Sequence, residues 1–417
     1  MHPKAAVTIA AGIVASLAAP AAAFFKVPCA APLVQERLDP VVNPGKVSGH
    51  VHTIMGGNGF GAITTYEQAL ASTCSSCRAP KDKSNYWTPS LYFKAKNGSF
   101  TPVQQVGGAL IYYLQRTDRG KDEKSLVPFP PGFRMVAGDP FARSFAGTKE
   151  AKAISHVCLY KDRSNGFPTE NCPGGLRTQV FFPSCWNGKD LDSPDHKSHV
   201  SYPKGDSYDH GDCPPEFPKR FISLFYEIIW SVDPFKNEWD GGKWPFVLSN
   251  GDPTGFGFHG DFLSGWEPAV LKDAIDNCLD GNKGGGHNGA IEYCKPLLPL
   301  TTSDEAKKCK KQTSVNERVT GLLEKLPGCN PVTPGPGRAS PQQGCGDQAV
   351  LGGGSPAAAP AAPAAPKGGA SPPANGGPAK SPSKAAGGPA TSPTKASGGG
   401  STPRPHHQRK HRKHKSH

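Results

Sequence analysis

Histidine and carboxylate side chains crowd two stretches of this chain. The first, SGHVHTIMGG, carries His50 and His52. The second runs from Trp186 to Trp266 and holds His196, His199, His210 and His259 among Asp192, Asp195, Asp209, Asp212, Asp252 and Asp261. Imidazole and carboxylate are the side chains that move protons near neutral pH and bind borderline metals. His50 and His52 are two residues apart, so an extended backbone puts both on one face. With His259, or alternatively His199, they make a three-imidazole set suited to a divalent cation, the one cofactor that these residue types suggest. Acid–base chemistry falls to His52, His199, Tyr202 and Asp261, with Arg37, Arg177, Trp186 and Trp266 holding a substrate. Glu227 joins the carboxylate pool that cleavage of a glycosidic bond requires. H-x-x-H is a loose spacing, H-E-x-x-H is absent, and the two stretches are far apart in sequence. A site exists only if the fold joins them.

Each of these residues also has a plainer role. His196 and His210 sit among charged turn residues. Asp252 in NGDPTG suits a turn closed by its own side chain. His52 and His259 could be hydrogen-bonded loop anchors, Arg37 and Asp39 an ion pair, and tryptophans serve cores as readily as sugar rings.

The elements that must position these groups are mostly strands. Runs at 86–93, 100–104, 106–116, 154–160, 176–182, 220–232 and 244–249 are rich in β-branched and aromatic residues and bounded by Pro and Gly. In RFISLFYEIIWSV, alternate residues from Ile222 to Val232 are apolar and form a core face, leaving Glu227 on the other. A short helix is expected at 66–72. Two more close the fold, at 268–279 with Pro268 in its first turn and at 314–326 with a Ser314/Glu317 capping box. The fold class is therefore mainly β, a β-sandwich or jelly-roll-like domain with long loops and a few C-terminal helices.

Composition divides the chain of 417 residues. Residues 1–23 read as a secretory signal ending in a small-residue cleavage site. Residues 24–345 form a disulfide-rich globular domain. Residues 346–417 are Pro, Ala, Gly and Ser with a basic His/Lys/Arg end, a composition that cannot bury enough surface to fold. No later segment is long and apolar enough for a membrane span. All 12 cysteines lie in the middle part, an even number that in a secreted chain implies up to six disulfides. Cys74-x-x-Cys77 has no second pair to complete a zinc site. The net charge of +13 sits largely in the tail, which carries ten of the Lys and Arg. That placement speaks against nucleic acid as a partner and for attraction of the tail to anionic polymers. Asn97-Gly98-Ser99 is a glycosylation acceptor on an expected surface turn.

Five blocks in order, RLDPVVNPGKVSGHVHTIMGG, CSSCRAPKDKSNYWTPSLYF, FPPGFRMVAGDP, LRTQVFFPSCWNGKDLDSPDHKSHVSYP and FVLSNGDPTGFGFHGDFLSGW, resemble a family of secreted fungal proteins catalogued as a domain of unknown function and often fused to WSC carbohydrate-binding modules. The resemblance spans roughly residues 35–280 and implies an extracellular or cell-wall-associated protein that works at polysaccharide. No WSC module is evident in this chain. The expected function is action on cell-wall polysaccharide, as a hydrolase or lyase with a His/Asp site. The alternative is a non-catalytic wall- or glycan-binding protein.

Overall fold

A computed structural model describes residues 23–239, 242–279, 287–341 and 349–352. The expected leader, except Ala23, and nearly all of the tail lie outside the described residues; Ala23 is buried and accepts from Gln115 N. The architecture is a sandwich of two antiparallel sheets. One has six strands, in the order Phe24–Pro28, Leu110–Leu114, Ser223–Trp230, Leu176–Phe181, Ile154–Cys158 and Arg163–Ser164. The other has five, in the order Val34–Glu36, His52–Gly56, Asn85–Pro89, His259–Leu263 and Arg134–Gly138. Two three-stranded sheets flank them.

Alternation explains which faces meet. In the strand Ser223–Trp230, Leu224, Tyr226, Ile228 and Trp230 are buried, as the sequence alternation requires. They pack in one core with Met55, Tyr86, Met135 and Phe262 of the facing sheet. The residues between, Phe225, Glu227 and Ile229, are half-buried on the outer face. The five-stranded sheet is covered on both sides. Its outer face carries Ile54, Trp87 and Val136 in a second core, roofed by Leu33, Leu38, Phe60 and Val315.

Five disulfides lie among the described residues: Cys29–Cys77, Cys74–Cys309, Cys158–Cys172, Cys185–Cys213 and Cys278–Cys294. Cys329 is also disulfide-bonded. The two cysteines of Cys74-x-x-Cys77 go to different bridges, so the motif is neither a redox pair nor half of a zinc site.

Two expected helices form, Tyr66–Leu70 and Pro268–Asn277. The one expected at 314–326 does not. Its apolar residues are drawn to separate places. Val315 pairs with Leu351 and enters the outer core, while Leu323 pairs with Phe100 in another cluster and Leu322 is exposed. Glu317 does not cap the segment either, since its carboxylate takes the Arg37 guanidinium at 2.6 Å. Tertiary burial has overridden a local pattern. A capping box does form nearby, between Thr302 and Glu305, on the helix Ser303–Lys308.

A buried histidine in this scaffold gives a pH prediction. His156 lies in the strand Ile154–Cys158, fully buried, with Nε2 3.0 Å from Gly255 O. Burial holds its imidazole down at about 4. The folded value lies below the unfolded one near 6.5, so the unfolded chain binds the extra proton between those limits. The stabilising contribution is intact above pH 6.5 and is lost as pH falls toward 4. Urea unfolding at pH 7 and pH 5 should show the stability gap between wild type and His156→Gln change by about 2 kcal/mol, against the wild type at the lower pH. An unchanged gap would mean that the imidazole is not held neutral.

Candidate functional site

The five-stranded sheet builds the site through its register. His52 stands opposite Glu36 on one side and Pro89 on the other. Asp261 stands opposite Trp87 and Val136. Continued by two residues, that register brings His259 level with Pro89, so His52 and His259 flank one proline on one face. Asp261 lies on the same face of the same strand one row away, because strand side chains repeat every two residues. His50 precedes the strand His52–Gly56 by two residues and reaches the same side.

The three imidazoles meet. Their ring centroids are 4.3 Å apart for His50 and His52, 5.0 Å for His50 and His259, and 5.9 Å for His52 and His259. One nitrogen from each lies within 4.8 Å of the other two. Among the described residues this is the one such group of histidine, cysteine and carboxylate side chains.

The hydrogen bonds fix which nitrogens carry protons. His52 Nδ1 is 3.0 Å from Leu38 O, and His259 Nδ1 is 2.9 Å from Gly257 O. A carbonyl only accepts, so both Nδ1 atoms donate and both Nε2 atoms present lone pairs. His50 Nε2, 3.0 Å from His259 Nε2, must then be the donor of that contact. His52 Nε2 is buried without a hydrogen-bond partner. Backbone carbonyls orienting two imidazoles this way are a frequent outer support of metal-binding histidines. Burial depresses all three rings, His52 to about 3 and His259 to about 4, with His50 lowered further by its two neighbours. They are therefore neutral; the His52 Nε2 lone pair is free, and that of His259 Nε2 accepts from His50 until the His50 proton moves to its other nitrogen.

A cavity of about 610 Å³ opens on this cluster, lined by Arg37, Asp39, His50, Arg143, His259 and Asp261 among others. Asp261 is fully buried and neither carboxylate oxygen has a partner. Burial, then the charge of Asp39, pushes it well above the usual carboxylate range. Asp39 accepts from Val41 N at 3.0 Å and Val42 N at 2.9 Å, yet burial still pushes it up to about 6. The two arginines are spoken for. Arg37 donates to Glu317 Oε2 at 2.6 Å and Ser48 O at 3.0 Å. Arg143 donates to Thr333 O, Ala142 O and Asn250 O and lies 3.8 Å from Asp252. Asp252 closes its turn by accepting from Thr254 N and Gly257 N.

The structure does not bring the other expected residues here. His199 is held by Arg134 O at 2.8 Å and Ser193 Oγ at 2.9 Å, so both its ring nitrogens are engaged. Tyr202 donates to Phe181 O. Arg177 pairs with Glu227 at 3.3 Å on the outer face of the six-stranded sheet. Trp186 donates to Asp190 O and stacks on Phe221. Trp266 is fully buried and donates to Tyr113 Oη at 2.8 Å. It has no face for a sugar ring. Trp266→Ala should cost roughly 3–5 kcal/mol, read by urea unfolding, and a loss under about 1 kcal/mol would contradict a core role. His196 and His210 pair with Asp192 and Asp209 in turns.

The sequence reading missed Arg143 and the wall at 329–341 and took Asp39 only as an ion-pair partner. The Asp39-Pro40 turn, with two N–H groups on one carboxylate, carried no signal of a cavity.

The family described as "Domain of unknown function (DUF1996)" matches residues 39–266, more than half of the chain. No curated protein and no solved structure matches. No helix among the described residues is long and apolar enough to cross a membrane.

Proposed function

The chain belongs to the family described as a domain of unknown function (DUF1996), and we propose that this member is a secreted protein acting on cell-wall polysaccharide through one divalent metal ion held by His50, His52 and His259. The observation that carries the reading is the convergence of imidazole nitrogens with two tautomers fixed from behind and one lone pair left unpartnered in the protein interior. Burying such an atom unsatisfied costs free energy, which a bound cation would offset. Three neutral imidazoles suit zinc, copper or a similar borderline ion. Such an ion would polarise a substrate oxygen as a Lewis acid. The protein's own contribution is then clear in outline. The three histidines orient the ion, the cavity walls exclude bulk water, and Asp261 presents two unpartnered oxygens to a hydroxyl or leaving oxygen of the substrate. Cleavage of a glycosidic bond as a hydrolase or lyase fits those groups. The five disulfides support an extracellular setting, and the basic tail would add attraction to anionic polymer.

The test uses untagged protein. Elemental analysis should find one equivalent of a transition metal, and insoluble wall polysaccharide should release soluble sugar with the metal-loaded protein but not after chelation. One equivalent of metal without sugar release would leave a metal protein with no cleavage activity. No metal at all would remove the reading.

A second reading rests on a separate surface. On the outer face of the six-stranded sheet, half-buried Phe24, Tyr112 and Phe225 form a row of rings, and Glu227 accepts from Tyr112 Oη at 2.8 Å and Gln179 Nε2 at 2.7 Å. Rings beside a fixed hydrogen-bonding group suit non-catalytic glycan binding. Tyr112→Ala/Phe225→Ala should then weaken co-sedimentation with wall polysaccharide and leave metal content unchanged.

A further inference from the structure

The cavity has a wall that the family match does not reach. Residues 327–341 lie beyond 39–266, yet Asn330, Pro331, Thr333 and Ser340 line the same space as His50, His259 and Asp261. The strap is docked, not draped. Asn330 Nδ2 donates to Gly49 O at 2.8 Å, one residue from His50. Thr333 N donates to Gly251 O at 3.0 Å, and Arg143 Nε returns to Thr333 O at 3.0 Å. Ala339 N donates to Phe141 O at 2.9 Å. Arg338 grips both oxygens of Asp139, at 3.0 and 2.9 Å, and its guanidinium lies 5.0 Å over the Phe141 ring. Backbone approaches backbone so closely that a Cβ at Gly251 would collide with Pro331 O, and one at Gly335 with Arg143 O. Glu317 also receives Gly328 N at 3.3 Å while it holds Arg37. A segment fastened at this many points is a fixed part of the site.

We propose that this strap turns a groove into a pocket, so that the site receives the end of a glycan chain, one or two sugar units deep, and rejects chain interiors. The proposal rests on the polysaccharide reading above. Three other segments bound the cavity, around 37–50, 136–143 and 250–261. Without the strap, the space between them would continue past Asn330 and Thr333. With it, the volume of about 610 Å³ falls within the range of small-ligand sites, roughly 300–1,000 Å³. The guanidinium groups are turned into the protein, onto Glu317 and backbone carbonyls. Among the cavity-lining side chains, both carboxylate oxygens of Asp261 and the amide oxygen of Asn250 are left without a hydrogen-bond partner. Such groups suit the hydroxyls of a sugar.

The test is length dependence of binding. Wild type and Asn330→Ala/Arg338→Ala are loaded with zinc, checked for equal metal content and melting behaviour, and titrated calorimetrically. The probes are β-1,3-linked glucose and β-1,4-linked N-acetylglucosamine oligomers of two to six units. Wild type should bind the dimer and hexamer of one series within about threefold of each other, and the double variant should bind the hexamer at least tenfold tighter than the dimer. Wild-type affinity that climbs tenfold with length, an unchanged ratio in the variant, or no oligomer bound would each overturn the proposal. If the variant fails to fold, the wild-type length series decides by itself. Absence of metal would sink the metal reading alone, since the length series can be repeated on the metal-free protein.

Discussion

His52→Ala/His259→Ala protein should contain less than a tenth of the metal that the wild type carries, and it should still fold. Two of the three imidazoles go, and the one that remains, His50, is the partly exposed member with no carbonyl behind its coordinating nitrogen in the hydrogen bonds described above. A single imidazole holds a divalent ion weakly, while three oriented ones hold it tightly. The thermal consequence is separable. In wild type, added metal at a thousand times its dissociation constant should raise stability by about 4 kcal/mol through mass action alone. In the double variant the same addition should shift nothing. Elemental analysis and melting curves with and without metal check both parts. Equal metal content in the two proteins would place the ion elsewhere. A variant that unfolds outright is controlled by His259→Gln, which keeps a side chain able to hydrogen-bond at that position.

The metal-free site also has a pH signature. The depressed values of His52, about 3, and His259, about 4, keep both rings neutral in mildly acidic surroundings. Protons therefore should not compete with metal until the pH falls well below the usual imidazole range near 6.5. Metal content measured after dialysis should hold from pH 7 to pH 5.

Cys74→Ala/Cys309→Ala should lose roughly 3–5 kcal/mol and melt about 5–10 °C lower. This bridge spans 235 residues, far more than the 14 of Cys158–Cys172, and the unfolded chain regains most freedom when the longest loop is opened. The other bridges inside the loop shorten its effective length, which sets the range below the simple estimate. The position matters as well. Cys309 anchors the start of the C-terminal segment against the outer core, and that segment goes on to supply Glu317, the partner of Arg37, and the cavity wall at 329–341. Differential scanning calorimetry gives the shift. A change under 2 °C would mean that packing alone seats the segment. Limited proteolysis should then cut the variant first after Lys310 or Lys311, next to the lost bridge.

Much of the chemistry was legible in the order of residues. Alternation in RFISLFYEIIWSV identified the core face, because a strand sends successive side chains to opposite sides whatever surrounds it. The same rule paired His50 with His52. Even cysteine number and spacing spoke for disulfides, since that inference needs only the redox setting. The pairing itself was not legible, and neither was the meeting of His52 with His259. That depends on which strands lie beside the strand Asn85–Pro89, a choice made by core packing between residues 207 positions apart. His199 and Tyr202 share the residue types of the site but were spent on neighbouring carbonyls, a fate set by tertiary contact. The segment 314–326 shows the opposite conflict. Its capping box and apolar spacing describe an isolated helix, but its side chains gain more by entering two separate cores and pairing Glu317 with Arg37. Local rules act through neighbours along the chain, so they determined strands, turns and the chemical types available. The cavity, its acids and its fourth wall are made by residues distant in sequence, and only burial and long-range hydrogen bonding could assemble them.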